Sequence, residues 1–220
     1  MMPLRTAYGR DLIRASQVLI DGSVHKIDVG KNGKGKVFLQ WTGAGVDGRL
    51  VHRIEPRGHW LRRLGSLGYI AKGLLALPAL RGVQSTIHID GRRISGKFLM
   101  VTISNCRRFA GGLAVLNPNA ILDDGLLEAW LFEGDNVFDL MKYIWYLYFG
   151  RHINHPRINC FRGCDIVLET EAPVPVHCDG DPAGITPMRC SVQKQALRHL
   201  IPTTAPSDLL SQSGMPLPSS

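Results

Sequence analysis

The chain has 220 residues, 45% of them hydrophobic, and a formal net charge of +8. That length and hydropathy suit one large domain or two small ones with a sizeable core, and no apolar run reaches the ~18 residues a spanning helix needs. The basic balance favours phosphate-bearing partners, whether nucleic acid, nucleotides or anionic lipid headgroups.

In chain order, residues 8–20 read as a helix on the stripe Leu12, Ile13, Ala15, Ser16 and Leu19. Asp21-Gly22 turns the chain into a short strand at 24–29, and Lys31 to Lys36 form a basic loop. Residues 37–42 are a strand running into the glycine turn Gly43-Ala44-Gly45-Val46-Asp47-Gly48. A largely helical stretch over 50–80 follows, broken at Pro56-Arg57-Gly58 and ended near Pro78. From there the pattern alternates. A strand at 85–89 meets the hairpin turn Asp90-Gly91 and returns over 94–104. Residues 126–132 form another strand and 136–150 an aromatic-rich helix. Ile158, 165–169, 174–178 and 188–192 read as further strands. Many short strands with closely spaced turns predict an antiparallel sandwich or barrel with a few helices laid on it. The stretch 203–220 is polar and rich in Pro and Ser, and reads as a disordered tail.

Five cysteines, an odd number, and a start without an apolar leader segment point to a reduced, cytoplasmic setting. The Gly43–Gly48 turn matches a dinucleotide fingerprint by spacing alone. No acidic residue lies between Glu55 and Asp90 to hold a ribose, so close strand–helix packing is the better account of the glycines. His152, His155, Cys160 and Cys164 have the residue types of a zinc site without a familiar spacing, and buried thiols ordinarily serve as small hydrophobes. The basic run from Arg49 to Lys72 reads either as a solvated helix face or as a surface for anionic membrane. The stripe Phe138, Met141, Ile144, Trp145, Tyr148 and Phe149 reads first as core packing, with a shallow acyl-chain groove as the alternative.

Two acidic turns carry more. Asp123-Asp124-Gly125 precedes a strand and can be a β-turn, yet one carboxylate with neighbouring carbonyls also suits a hard cation. Asp179-Gly180-Asp181 ends an apolar alternating run, where a partly buried carboxylate can serve as a general base.

These residues together resemble the C-terminal portion of the bacterial diacylglycerol kinase and YegS-type lipid kinase family. The resemblance rests on Ile27-Asp28-Val29-Gly30, the Gly43–Gly48 turn, Ser104-Asn105 with Gly111-Gly112, residues 118–127, Pro175 to Pro182, and Ala196-Leu197-Arg198. It runs from about residue 8 to residue 202. It implies an antiparallel β-sandwich over 37–202, preceded at 1–36 by a helix-and-strand remnant of an α/β nucleotide domain. The activity it implies is transfer of the γ-phosphate of ATP to a lipid hydroxyl with Mg²⁺, by a peripheral enzyme on the inner face of the membrane. The metal would be held by Asp124 with the carbonyls of Ile121 and Leu126. Asp181 falls where the family has the Glu of Asp-Gly-Glu, the proton acceptor, and Asp179 is its neighbour. The sequence departs from the family twice: Asp181 is one methylene short, and the phosphate-cradling Gly-Gly-Asp-Gly-Thr loop does not occur. The expectation is therefore a truncated or split enzyme, inactive without a nucleotide domain supplied separately or by another subunit. The alternative is a non-catalytic module for anionic lipid or a protein partner. Nucleic acid is not an expected partner, because no nucleic-acid motif accompanies the charge.

Overall fold

The computed structural model describes residues 12–54 and 81–211. Helix α1 (Leu12–Asp21) ends at Gly22, and β1 (Ser23–Asn32) follows. Asn32 then closes the basic loop: its side-chain oxygen accepts the N–H groups of Lys34 at 3.0 Å and Lys36 at 2.8 Å. Strands β2 (Val37–Phe38) and β3 (Trp41–Gly45) lead directly into α2 (Val46–Ile54). The chain resumes with β4 (Val83–Ile89), β5 (Arg92–Ser104), the short hairpin β6 (Arg108–Phe109) and β7 (Ala114–Val115), and β8 (Leu127–Glu133). Helix α3 (Val137–Tyr148) precedes β9 (Ile158–Gly163), β10 (Asp165–Thr170), β11 (Pro175–Cys178), β12 (Asp181–Ile185) and β13 (Met188–Ile201).

All but the β6–β7 hairpin join one antiparallel sheet in the order β12-β11-β3-β5-β4-β10-β13-β1-β2, with β8 on β5 and β9 on β8. The long strand β5 makes the two-layered arrangement. Its first half pairs with β4, and its second half pairs with β3 and with β8. Alternation along β8 fills two cores: Leu127, Ala129 and Leu131 face the main one, Trp130 and Phe132 a second one roofed by α3. This is the mainly antiparallel, sandwich-like fold expected from the sequence.

Several boundaries move. Strand β1, assigned above to a nucleotide-domain remnant, pairs along its length with β13 and belongs to the same sheet. Residues 203–211, assigned to a disordered tail, fold back on the body. Leu209 accepts the N–H of Leu122 at 3.0 Å, Asp208 meets Arg107, and Ser211 donates to Asp123 at 2.6 Å. The helix after the glycine turn begins at Val46, inside that turn. Gly45 has φ +91°, and a side chain on Gly48 would strike the carbonyl of Pro175, so the glycines serve close packing. β3 is flanked by antiparallel neighbours, which removes the βαβ context of a dinucleotide site. The breaks at Pro56-Arg57-Gly58 and Pro78 and most of the basic helical run lie outside the described residues.

Candidate functional site

Asp28 organises the first acidic turn, and the ladder explains how. Ile27 faces Leu197 and Val29 faces Gln193, so one residue of β1 opposes three of β13. The bulge frees backbone N–H groups, and Gln195 takes φ +49°. The Asp28 carboxylate, 1% exposed, accepts the N–H of Gln195 at 2.7 Å and that of Gly125 at 2.5 Å. Its backbone N–H donates to Leu122 at 2.8 Å, and its carbonyl accepts from Asn105. The segment holding Ile121, Asp124 and Leu126 is thereby stapled to the sheet.

Asp124 is oriented by that staple and already occupied. One carboxylate oxygen accepts the N–H of Leu126 at 3.0 Å; the other pairs with the Arg162 guanidinium on β9. Arg162 also approaches Glu128 at 4.0 Å. Glu128 is buried at the start of β8 and accepts from Asn117 at 2.5 Å and from Trp130 at 3.4 Å. Burial pushes its carboxyl above the ordinary range, against those hydrogen bonds and the Arg162 charge. As arranged, these residues do not fit Mg²⁺. The charge a cation would neutralise at Asp124 is neutralised by Arg162. The zinc constellation also fails to gather. His152 is buried with Nε2 on the Leu116 carbonyl at 2.6 Å, His155 packs on Tyr143 and Tyr146, and Cys164 meets the Gly125 carbonyl.

In the second turn the two carboxylates divide their work. Asp179 takes φ +49°, and its oxygens accept three backbone N–H groups, from Leu39 at 2.7 Å, Gln40 at 2.9 Å and Trp41 at 3.0 Å. It is a brace across the β2–β3 connection, with three of its roughly four lone-pair sites taken by those N–H groups. Asp181, at the head of the edge strand β12, is 72% exposed and has Lys36 at 4.0 Å. Of the two, Asp181 is the more exposed, and Asp179 is half-buried. On β11, two residues before Asp179, stands one half of a pair that the sequence did not single out. His177, 1% exposed, meets Asp47 of α2 at 2.7 Å, and the space above Gly43 is what admits both.

The two turns stand at opposite ends of one row of paired residues, Trp41–Ser104–Glu128–Arg162, running from β3 to β9. Three strand spacings separate β11 from β8, on the order of 14 Å. A single ion does not bridge that distance. Cys106 lies between, where burial, then the Asp179 charge, push its thiol up to about 12, so it remains a neutral thiol.

An antiparallel sandwich with carboxylate turns at its strand ends defines the class of the molecule, a β-sandwich domain. The family described as the YegS C-terminal NAD kinase beta sandwich-like domain matches residues 41–201, and the chain belongs to it. Among curated relatives, a diacylglycerol kinase of Bacillus subtilis (strain 168) is 26% identical over 179 residues, covering 80% of this chain and 57% of the relative. A diacylglycerol kinase of Staphylococcus carnosus (strain TM300) is 25% identical over 193 residues, covering 87% and 61%. The crystal structure of a diacylglycerol kinase from Bacillus anthracis str. Sterne superposes with a TM-score of 0.52 at 21% identity, covering 78% of this chain and 52% of that one, a likeness of fold. The chain thus spans less than two thirds of the length of these relatives. No helix among the described residues is long and apolar enough to cross a membrane.

Proposed function

We propose that the chain is the acceptor-side part of an ATP-dependent lipid kinase. It would transfer the γ-phosphate to the hydroxyl of a diacylglycerol-like lipid once a nucleotide-binding domain is supplied. The observation that carries this reading is the family match over 41–201 together with relatives named diacylglycerol kinase. Phosphoryl transfer is largely positioning and electrostatic stabilisation of phosphate, and the sequence lacks the Gly-Gly-Asp-Gly-Thr loop that would cradle it. Mg²⁺ would accompany ATP on that other domain and neutralise phosphate charge there.

Within this chain the roles divide. Asp181 accepts the proton of the lipid hydroxyl, Asp179 fixes the turn that presents it, and Lys36 beside Asp181 attracts phosphate. The shorter reach of Asp181 relative to Glu lowers the rate. A peripheral seat on a membrane follows from the acceptor being a lipid, and the cytoplasmic face from the use of ATP.

The test is an assay with ATP, Mg²⁺ and diacylglycerol vesicles, with and without the nucleotide domain of the Bacillus subtilis relative added in trans. Phosphatidic acid is expected only with the added domain, and it disappears in Asp181→Asn. Turnover by this chain alone at the rate of a full-length relative overturns the need for a partner domain. No turnover in either arm returns the chain to a non-catalytic module for anionic lipid or a protein partner.

A further inference from the structure

Helix α3 is apolar on two opposite faces. Its inner face is accounted for: Tyr143 and Leu147 are buried, Leu140 packs on the second core, and the Tyr143 hydroxyl donates to the Glu133 carbonyl. Its outer face has no such account. Phe138 is 80% exposed, Met141 55%, Ile144 57%, Trp145 60% and Tyr148 70%, with Phe149 just beyond at 50%. At 3.6 residues per turn, 138, 141, 145 and 148 form one row. A surface helix is ordinarily polar there, and a contiguous apolar patch, unlike scattered exposed residues, marks a contact surface.

We propose that this face docks the chain on the surface of an anionic lipid bilayer. Trp145 and Tyr148 are amphipathic rings suited to the headgroup boundary, and Phe138, Met141 and Ile144 supply the part that enters the acyl region. The charge beside them is positive. Lys142 lies over the Tyr146 ring and Arg151 is exposed just past the helix, and no ion pair among the described residues engages either. The carboxylate on this helix, Asp139, is 16% exposed and held by Arg157 at 2.9 Å. A second copy of this face would bring like charge against like, whereas anionic headgroups complement it. The helix is pre-ordered: the Asn136 side chain caps the N–H groups of Phe138 and Asp139, and Leu140 and Tyr143 anchor it from within. A helix of this length lies flat over roughly 18 Å of membrane. The proposal deepens the lipid-acceptor reading, yet its test uses no ATP and reads no turnover, so either can fail alone.

The experiment is co-sedimentation of the full chain with vesicles of phosphatidylcholine, with and without one part in three of phosphatidylglycerol. The wild type is expected to bind the anionic vesicles, more weakly as salt rises. The F138S/W145S/Y148S variant, altered only at exposed positions, keeps its melting temperature and loses affinity by about tenfold or more. K142Q/R151Q weakens binding to anionic vesicles by ~5-fold or more at low salt. W145F binds like wild type but loses quenching by brominated acyl chains, which places position 145 in the bilayer. Failure of the wild type to bind any vesicle overturns the proposal, as does unchanged binding of the triple variant. It is also overturned if the triple variant converts a self-associated wild type to monomer in sedimentation velocity while vesicle binding persists. The face would then belong to a second copy.

Discussion

Replacing Asp28 with alanine tests how the first acidic turn is held. The carboxylate is 1% exposed and accepts two backbone N–H groups, from Gly125 at 2.5 Å and Gln195 at 2.7 Å. A hydrogen bond to a charged group contributes about 1.5–3 kcal/mol, and an orphaned buried donor is penalised by a similar amount, so D28A is expected to lose ~3–6 kcal/mol. D28N keeps one carbonyl acceptor but turns an amide N–H₂ toward the other donor, for a loss of ~2–4 kcal/mol. In urea, with m on the order of 2–3 kcal/mol/M, the midpoint of D28A falls by roughly 1–3 M, with D28N in between. A D28A midpoint within about 0.2 M of wild type would refute the idea that this carboxylate staples Gly125 to the β1–β13 bulge.

The remaining carboxylates separate structural from chemical roles. Asp179→Ala removes the acceptor of three backbone N–H groups at a left-handed position and should lower stability by about 2–3 kcal/mol, while Asp181→Ala, at 72% exposure, should stay within ~0.5 kcal/mol. Equal losses in thermal melts would sink that division of labour. In the reconstituted assay Asp181→Glu should raise turnover over wild type by restoring the reach of the base; a drop would argue against Asp181 as proton acceptor. Glu128 is raised by burial, so the folded chain holds that proton to higher pH than the unfolded chain. Stability should therefore decline as pH climbs from about 4.5 through the raised value, and E128Q should flatten that decline; a steeper decline in E128Q would reverse the sign of the argument. Mg²⁺ against EDTA should leave the wild-type melting temperature within about 1 °C, whereas R162Q, with Asp124 uncovered, should gain a Mg²⁺-dependent rise. A clear Mg²⁺ shift in the wild type would mean that the ion displaces Arg162.

The alternating segments were legible because period-two patterning is local: Ser85–Ile89, the Asp90-Gly91 hairpin and the return through Ser104 appear where the sequence puts them. What stayed hidden depends on partners distant in sequence. Asp28 stood inside a quoted motif, but its contact with Gln195 spans 167 positions, and a bulge on a partner strand leaves no mark on the strand itself. Asp47 and His177 are 130 positions apart and meet only because Gly43 leaves room. Arg162 looked like an ordinary strand-surface residue, and only the β8–β9 register brings it to Asp124 and Glu128. The β6–β7 hairpin was missed because its two-residue strands are too short to show a period. The outer row of α3 carried a clear helical period, but period alone does not tell which of two apolar faces is buried.

The pairing of β1 with β13 sets where this domain can be cut. The family match begins at Trp41, and a truncation drawn there would delete β1 and β2. The stretch 190–201 of β13 would then present a long unpaired edge, the kind that recruits a strand from another molecule. The first acidic turn would also lose its Asp28 carboxylate, although it lies some hundred residues away in the chain. An expression boundary that respects the sheet therefore starts before Ser23, and a poorly soluble fragment beginning near residue 41 would report on a missing edge strand and not on the quality of the remaining core.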